Sequence, residues 1–514
     1  MYRRLAQNTV VNLANFGANI VINLLLTPIF IRTLGDNLYG VWVFVVSLSV
    51  FGGMLAFFNL GIQASLIKYV AAFDATGNHQ AEREVASAAL LVYTIIGICL
   101  SLSVAMVAIY GQSILINVFN VPESIIQTTR ILLGFIAFQV LSDFTMLVMR
   151  GLLEGWQRYD ITRGFNIVRL VAFSIFSLTF LLVFDMGVIS LALALVLSEA
   201  IRNLGHFYWI RRLRPDFRLT RHITRHVIGQ MFNLSSRMVI YSLLDTIYNQ
   251  MDKIIISVFL TTTLLTNYDI SARLHLFVFA LTTIIGPFVL PAASALYEKQ
   301  DYKELKRLLL LATRYSAALT VPTAMIVMVI ARPLTIFWVG SAYVDTVLST
   351  QLFVGYLLLF VLMRVGMNML IGVNKVNRLV MILGVSTTVN LIVSLILVQS
   401  QGIRGVIWGT VIGNSIAVIP TLILFQREFG INWYEIGRQI LLPVYPVAIV
   451  GASVTFLLMR WRTPNNIIEL GIYSATGMFV FGGLFFIFGM PKDEKNILIG
   501  YLQAIRHQRK IRSE

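Results

Sequence analysis

Asn8-Thr-Val-Val-Asn12-Leu-Ala-Asn15-Phe-Gly-Ala-Asn19-Ile-Val-Ile-Asn23 is an apolar stretch interrupted at helical spacing by asparagines. At 100° per residue the five amides fall within an arc of roughly 80°. The remaining faces are aliphatic, and the stretch continues to the length of about 20 residues that crosses the hydrocarbon layer of a bilayer. Amides facing lipid would be costly. This face therefore turns to other helices, where interhelical hydrogen bonds are its alternative use, or lines a wet interior, the reading adopted here. Met1-Tyr-Arg-Arg4 precedes the stretch and no small-residue cleavage site follows, so it reads as a retained first span and not a cleaved signal.

Working outward, the same character extends along all 514 residues: 57% are hydrophobic and 12% charged, against about 25% charged in a soluble domain. Mean hydropathy is +0.80. Too few polar residues are present to cover soluble domains of this size. The fold class expected is all-α: a polytopic membrane protein with 14 transmembrane helices. Spans are placed near 9–31, 38–60, 86–110, 127–149, 164–184, 187–209, 228–259, 266–297, 308–331, 347–372, 377–399, 403–425, 438–459 and 467–490. The stretch 228–259 is long enough to be tilted, or broken near Asp252-Lys253.

Charge sets the expected orientation. With a cytoplasmic N-terminus, Arg32, Arg332, Arg404, Arg460 and Arg462 fall in outer loops. Arg130, Arg169, Arg202, Arg237, Lys253, Arg273, Arg314 and Arg364 fall inside spans, and the remaining 27 of the 40 Lys and Arg lie in inner segments. This asymmetry places both termini in the cytoplasm of a plasma (inner) membrane protein. It also accounts for the net charge of +16 without nucleic acid as a partner. Short outer loops leave no room for a polyprenyl-donor glycosyltransferase domain, and GxxxxGK[ST] is absent from the sequence, so an enzyme and an ATP-driven pump are not expected. Cys99 is the single cysteine; no metal cluster or cofactor motif is found, and no cofactor is expected.

The halves resemble each other. Asn233 begins a second polar stripe, Gly187-Val-Ile189 is matched by Gly405-Val-Ile407, and Tyr39 by Tyr268. Six spans per half give both halves the same orientation, a known transporter plan. The expected organisation is an N-lobe at 1–209, a basic linker at 210–227, a C-lobe at 228–430, two appended spans within 431–490 and an amphipathic tail at 491–514 on anionic lipid.

Within this plan the candidate substrate-binding residues are Asn12, Asn15, Asn19 and Asn23, with Arg169, Arg237, Tyr241, Tyr248, Arg273 and Arg364. Asn233, Arg237, Tyr241, Asp245, Tyr248 and Asp252 share an arc of about 120°, and charges at bilayer depth cost about 2.5–3.5 kcal/mol unless a partner or cavity receives them. Asp269 and Arg273 stand at i, i+4 and can neutralise each other. Arg130 and Arg202 lie near span ends, where they would snorkel; Asp143 and Glu199 are the expected counter-charges of the first half. Asp245, Asp252 and Asp269 are the candidate ion-coupling carboxylates. Basic residues outnumber acidic ones among these buried positions, which suits an anionic cargo, and arginine suits phosphate.

Thr27-Pro-Ile-Phe-Ile-Arg-Thr-Leu-Gly35 with Tyr39-Gly40-Val-Trp42, Phe58-Asn-Leu-Gly-Ile-Gln-Ala-Ser-Leu-Ile-Lys-Tyr-Val70, Gly151-Leu-Leu-Glu-Gly-Trp-Gln-Arg-Tyr159, and Tyr268 through Ala272-Arg273-Leu274 to Leu290-Pro291 resemble, in order and spacing, the polysaccharide biosynthesis flippases. The wider superfamily contains multidrug exporters and the lipid II flippase. The resemblance covers most of residues 5–430. It implies two six-helix lobes around a central cavity and an undecaprenyl-pyrophosphate-type lipid-linked oligosaccharide as cargo for O-antigen or related polymers. It further implies membrane lipids and polysaccharide polymerase or assembly proteins as partners, a monomer, and a cargo role for Arg273. Amides replace the arginines that other branches carry in the first helix, which speaks against lipid II, and Asn59 stands where many relatives have an acid. A cation-coupled multidrug exporter, a lipid II flippase and a non-transporting scaffold are the alternatives; the basic excess opposes the first, the amide face the second and the buried charges the third.

Overall fold

Short polar side chains start helices that the apolar runs then sustain. Asn78 accepts a hydrogen bond from the Ala81 amide at 3.1 Å and starts His79–Tyr110. Asp301 does the same for Tyr302–Trp338 through Glu304, and Asn466 for Ile467–Leu484 through Ile468 and Glu469. Such caps satisfy first-turn donors that have no partner within the helix.

The computed structural model describes residues 2–220 except 51, 52 and 60, then 243–244, 246–247, 250–491 and 493–496, with backbone alone for 2–16 and 287. Among the described residues no strand occurs, and eleven helices are long and apolar enough to cross a membrane by length and composition. The first, Gly17–Ser47, takes in much of the first expected span and enters the second, bending at Gly35, where φ 72° and ψ 173° are not helical. The second expected span is not one helix. It ends at Ser47, a 3-10 turn follows at Met54–Asn59, and Ile62–Thr76 forms a separate helix. The chain is tightly folded back here: a Cβ on Gly53 would lie 2.3 Å from the Ser49 carbonyl oxygen, and Gly61 takes a left-handed φ of 67°.

Ile189–Leu213 is helical where the sixth span is expected, but Glu199, Arg202, Asn203 and His206 lower its hydropathy, and it is not among the eleven. The seventh span lies largely outside the described residues; its end, 250–259, is helical through Asp252 and Lys253, so no break occurs there. The eighth is divided into Leu264–Thr283 and Gly286–Glu298, with Pro287 at the start of the second piece, where its missing N–H costs nothing.

By contacts the chain forms two units. One runs to Arg273 and adds Thr387–Thr410; the other comprises Leu274–Ser386 and residues from Val411 onward. In the first, Ile126–Gly155 is the central helix, burying Leu132, Leu133, Ile136, Val140, Phe144 and Leu147. Glycines let neighbours come close: a Cβ on Gly151 would lie 2.5 Å from Leu66 of Ile62–Thr76. In the second unit, Ile326 and Ile330 of Tyr302–Trp338 pack with Ala452 and Leu470. Leu442–Trp461 and Ile467–Leu484 meet at Gly451 and Gly477, where a Cβ on the first would lie 2.7 Å from the second's carbonyl oxygen and a Cβ on the second 2.5 Å from the first's. Small residues at close crossings are the usual basis of helix association in lipid, where burial alone gives little drive.

Candidate functional site

Two of the five asparagines of the first helix have described side chains, and both reach an interior. Asn19 and Asn23 line a cavity of about 280 Å³ within the first unit, together with Thr27, Phe30, Trp42, Ser49, Gln139, Asp143, Arg169, Phe173, Glu199 and Arg273. Asn19, Asn23 and Thr27 recur at i, i+4 and i+8 and so share one stripe. The stripe is internally tied: Asn23 Nδ2 donates to the Asn19 carbonyl at 2.7 Å, and Thr27 Oγ1 to the Asn23 carbonyl at 2.6 Å.

Arg273 forms one wall. Its Nε donates to Asp269 Oδ2 at 2.5 Å, and its Nη1 donates to Asn23 Oδ1 at 3.0 Å. Tyr39 donates its hydroxyl to the same carboxylate oxygen at 2.6 Å. Asp269 and Arg273 thus neutralise each other as their spacing suggests, yet the arginine keeps 20% of its side chain exposed. Tyr39 and Tyr268, matched between the halves, each donate to a buried carboxylate: Tyr268 reaches Asp252 at 3.0 Å. Thr410 also donates to Asp252, at 2.8 Å, and accepts from Asn390, which in turn accepts from Ser394 at 3.0 Å.

A charge quartet forms the other wall. Arg169 Nη1 lies 3.4 Å from Glu199 Oε1; Arg202 Nη2 lies 2.5 Å from Glu199 Oε2 and 3.7 Å from Asp143 Oδ1. Gln139 Nε2 donates to both oxygens of Asp143, at 3.3 and 3.2 Å. Asp143 and Glu199 are the counter-charges expected of them. Arg202 corrects the snorkelling expectation: it is buried, at 7% exposed, between two carboxylates, and a charge held this way gains from leaving neither partner alone. Arg169 keeps 21% exposure and opens on the cavity. Arg130 instead donates Nε to the Ala108 carbonyl at 2.7 Å and Nη2 to the Ile109 carbonyl at 2.6 Å, holding the last turn of His79–Tyr110.

These pairings alter the electrostatic expectation. The cavity wall carries two arginines and two carboxylates, so an excess of cations among the buried positions does not make its surface basic. Arg169 and Arg273 are the two arginines that line the cavity, each half-buried and each paired with a carboxylate.

Arg364 lies in the second unit on Leu357–Gly372, its guanidinium 5.7 Å from the Phe279 ring centre. Among the described residues no carboxylate lies within ion-pair distance of it. Arg237, Tyr241, Asp245 and Tyr248 lie outside the described residues, as do the side chains of Asn12 and Asn15 and the tail from 497. Sequence reasoning missed Gln139, Thr27, Ser49, Trp42, Phe30 and Phe173. Gln139 had a usable signal, since it stands four residues from Asp143 on one helical face; the aromatic rings are of types that fill any apolar helix.

Comparison with known proteins places this architecture. The family model for polysaccharide biosynthesis protein matches residues 29–348, more than half of the chain. The lipid II flippase MurJ of Bacillus subtilis is 21% identical over 438 residues, covering 78% of this chain and 79% of that protein. The uncharacterized membrane protein EpsK of the same organism is 22% identical over 357 residues, 68% of each. Among solved structures, lipid II flippase MurJ in an inward closed conformation aligns over 94% of this chain and 98% of its own, with a TM-score of 0.74 and 14% identity. An inward-facing multidrug resistance MATE transporter of the MOP superfamily aligns over 82% and 98%, with a TM-score of 0.67 and 15% identity. The chain belongs to the polysaccharide biosynthesis protein family and shares the helical fold of these MurJ and MATE structures.

Proposed function

We propose that this protein moves a polyprenyl-pyrophosphate-linked oligosaccharide from the cytoplasmic to the outer leaflet, for assembly of a surface polysaccharide. The observation that carries the reading is the cavity wall on which Arg273 and Arg169 stand among amides and aromatic rings. A diphosphate needs cationic donors that can leave their present partners, and arginine offers them in a planar fork. Asn19, Asn23 and Gln139 offer donors and acceptors to sugar hydroxyls, while Trp42, Phe30 and Phe173 offer apolar faces to sugar rings. Desolvating a diphosphate is only partly offset by two arginines, so the headgroup path stays hydrated.

The N-lobe at 1–209 and the C-lobe at 228–430 would rock about the linker at 210–227, both termini remaining cytoplasmic. Arg237, Arg364, Tyr241 and Tyr248 belong to the same cargo path in this reading, with Asp252, Asp269 and Asp245 as coupling carboxylates. Asp252, already ringed by two hydroxyl donors, is the best placed of these. One observation favours a different cargo: Asp143 and Glu199 also line the cavity, as a drug-cation exporter would need. The two separate by phenotype. Depletion in native cells that strands lipid-linked sugars on the cytoplasmic face and removes one surface polymer supports the flippase. An unchanged lipid distribution with new sensitivity to cationic drugs supports the exporter.

A further inference from the structure

The helix Ile189–Leu213 changes character along its outer face as it approaches the linker. Leu197 and Leu204 are exposed, then Phe207 and Tyr208, then Arg211 and Arg212. Positions 197, 204, 208 and 211 stay on one side of the helix at 100° per residue. Aliphatic, aromatic and basic side chains in that order match the hydrocarbon, interfacial and headgroup depths of a bilayer. The arginines are held by rings. Arg211 lies 5.4 Å from the Phe207 ring centre, and Arg212 lies 5.1 Å from that of Trp209, with its Nη1 at 3.5 Å from the Tyr208 hydroxyl. Arg158 covers Trp209 as well, at 5.7 Å, but is bound at both edges by Asp160, at 3.0 and 2.9 Å. Among the described residues no carboxylate lies within ion-pair distance of Arg211 or Arg212.

We infer that Phe207, Tyr208, Trp209, Arg211 and Arg212 form a binding site for the headgroup of an anionic phospholipid in the cytoplasmic leaflet. Two exposed rings, Phe207 and Tyr208, and the half-buried Trp209 pre-orient two guanidinium groups, so a phosphodiester binds without freezing long side chains. The neighbouring exposed leucines receive the upper acyl chain. None of these five residues lines the cavity; they stand at the end of the helix that leads into the linker between the proposed lobes.

The test titrates phosphatidylglycerol into the detergent-solubilised full-length protein and counts retained lipid by native mass spectrometry. Arg211→Gln should weaken retention about fivefold and Arg211→Gln/Arg212→Gln about twenty-five-fold at low salt. Arg211→Lys/Arg212→Lys should recover part of the loss, which also shows that the double variant's effect is not misfolding. Arg218→Gln removes an equal charge from the same segment and should change retention little. Equal losses in Arg218→Gln would overturn the site in favour of a net-charge effect. Phosphatidylcholine or inorganic phosphate competing as well as phosphatidylglycerol would overturn the assignment to an anionic lipid. Unchanged retention in the Gln/Gln variant would overturn the proposal altogether.

Discussion

Arg214 and Arg273 are two arginines of one unit with opposite settings. Arg214, at the start of the linker, is bound to Asp74 and to Glu82 at 2.9 Å, and its guanidinium lies 4.9 Å from the Trp156 ring centre. Glu82 is fully buried and also accepts from the Trp156 indole, while Arg83 holds the Asp216 carbonyl at 2.9 Å. The Arg214 guanidinium in this clamp is engaged by two carboxylates and an aromatic ring. Arg273 has one carboxylate and one amide, and turns the rest of its fork to a cavity. The same residue type is enclosed where acids surround it and left partly open where a cavity does, and the open setting is the one proposed to receive cargo. The quartet contains both: Arg202 is enclosed by carboxylates, and Arg169 opens on the cavity.

Substitutions separate the two settings. Arg273→Ala should abolish export of surface polysaccharide while membrane levels stay near normal, measured by polymer staining beside immunoblots. Arg202→Ala should instead lower membrane levels and the melting temperature, because among the described residues it removes the only cation paired with buried Asp143 and one of two paired with Glu199; breaking such a pair costs about 3–5 kcal/mol. Arg214→Ala follows, with about 2–3 kcal/mol lost on the same melting assay, since Glu82 keeps its indole partner. Asn23→Ala removes one charge-assisted bond to Arg273 and should raise the cargo concentration for half-maximal transport about fivefold, with normal melting. Arg307→Ala, in an exposed pair with Glu304, should stay within ~0.5 kcal/mol of wild type. A stability loss in Arg273→Ala equal to that of Arg202→Ala would erase the distinction.

Much of this was legible in the amino-acid order. Asn19, Asn23, Asp269 and Arg273 stand out because polar groups at helical spacing in apolar runs are costly and therefore placed for a reason. Asp143 and Glu199 were legible as counter-charges by scarcity, since that half offers few acids. Arg202 was misjudged because distance from a span end says nothing about a neighbouring helix that brings two carboxylates to it. The bend after Ser47 was also missed: the run stays apolar through it, and hydropathy does not register a backbone that turns. Phe30, Trp42 and Phe173 could not be singled out, because only tertiary packing decides which aromatic rings meet a cavity and which meet other helices.

Arg273 is the residue proposed to handle the lipid-linked sugar. The most direct measurement is the leaflet distribution of polyprenyl-pyrophosphate sugars in depleted cells complemented with wild-type protein or with Arg273→Ala at matched membrane levels. Wild type should restore the outer-leaflet pool, and Arg273→Ala should leave the sugars on the cytoplasmic face. Full restoration by Arg273→Ala would contradict the account.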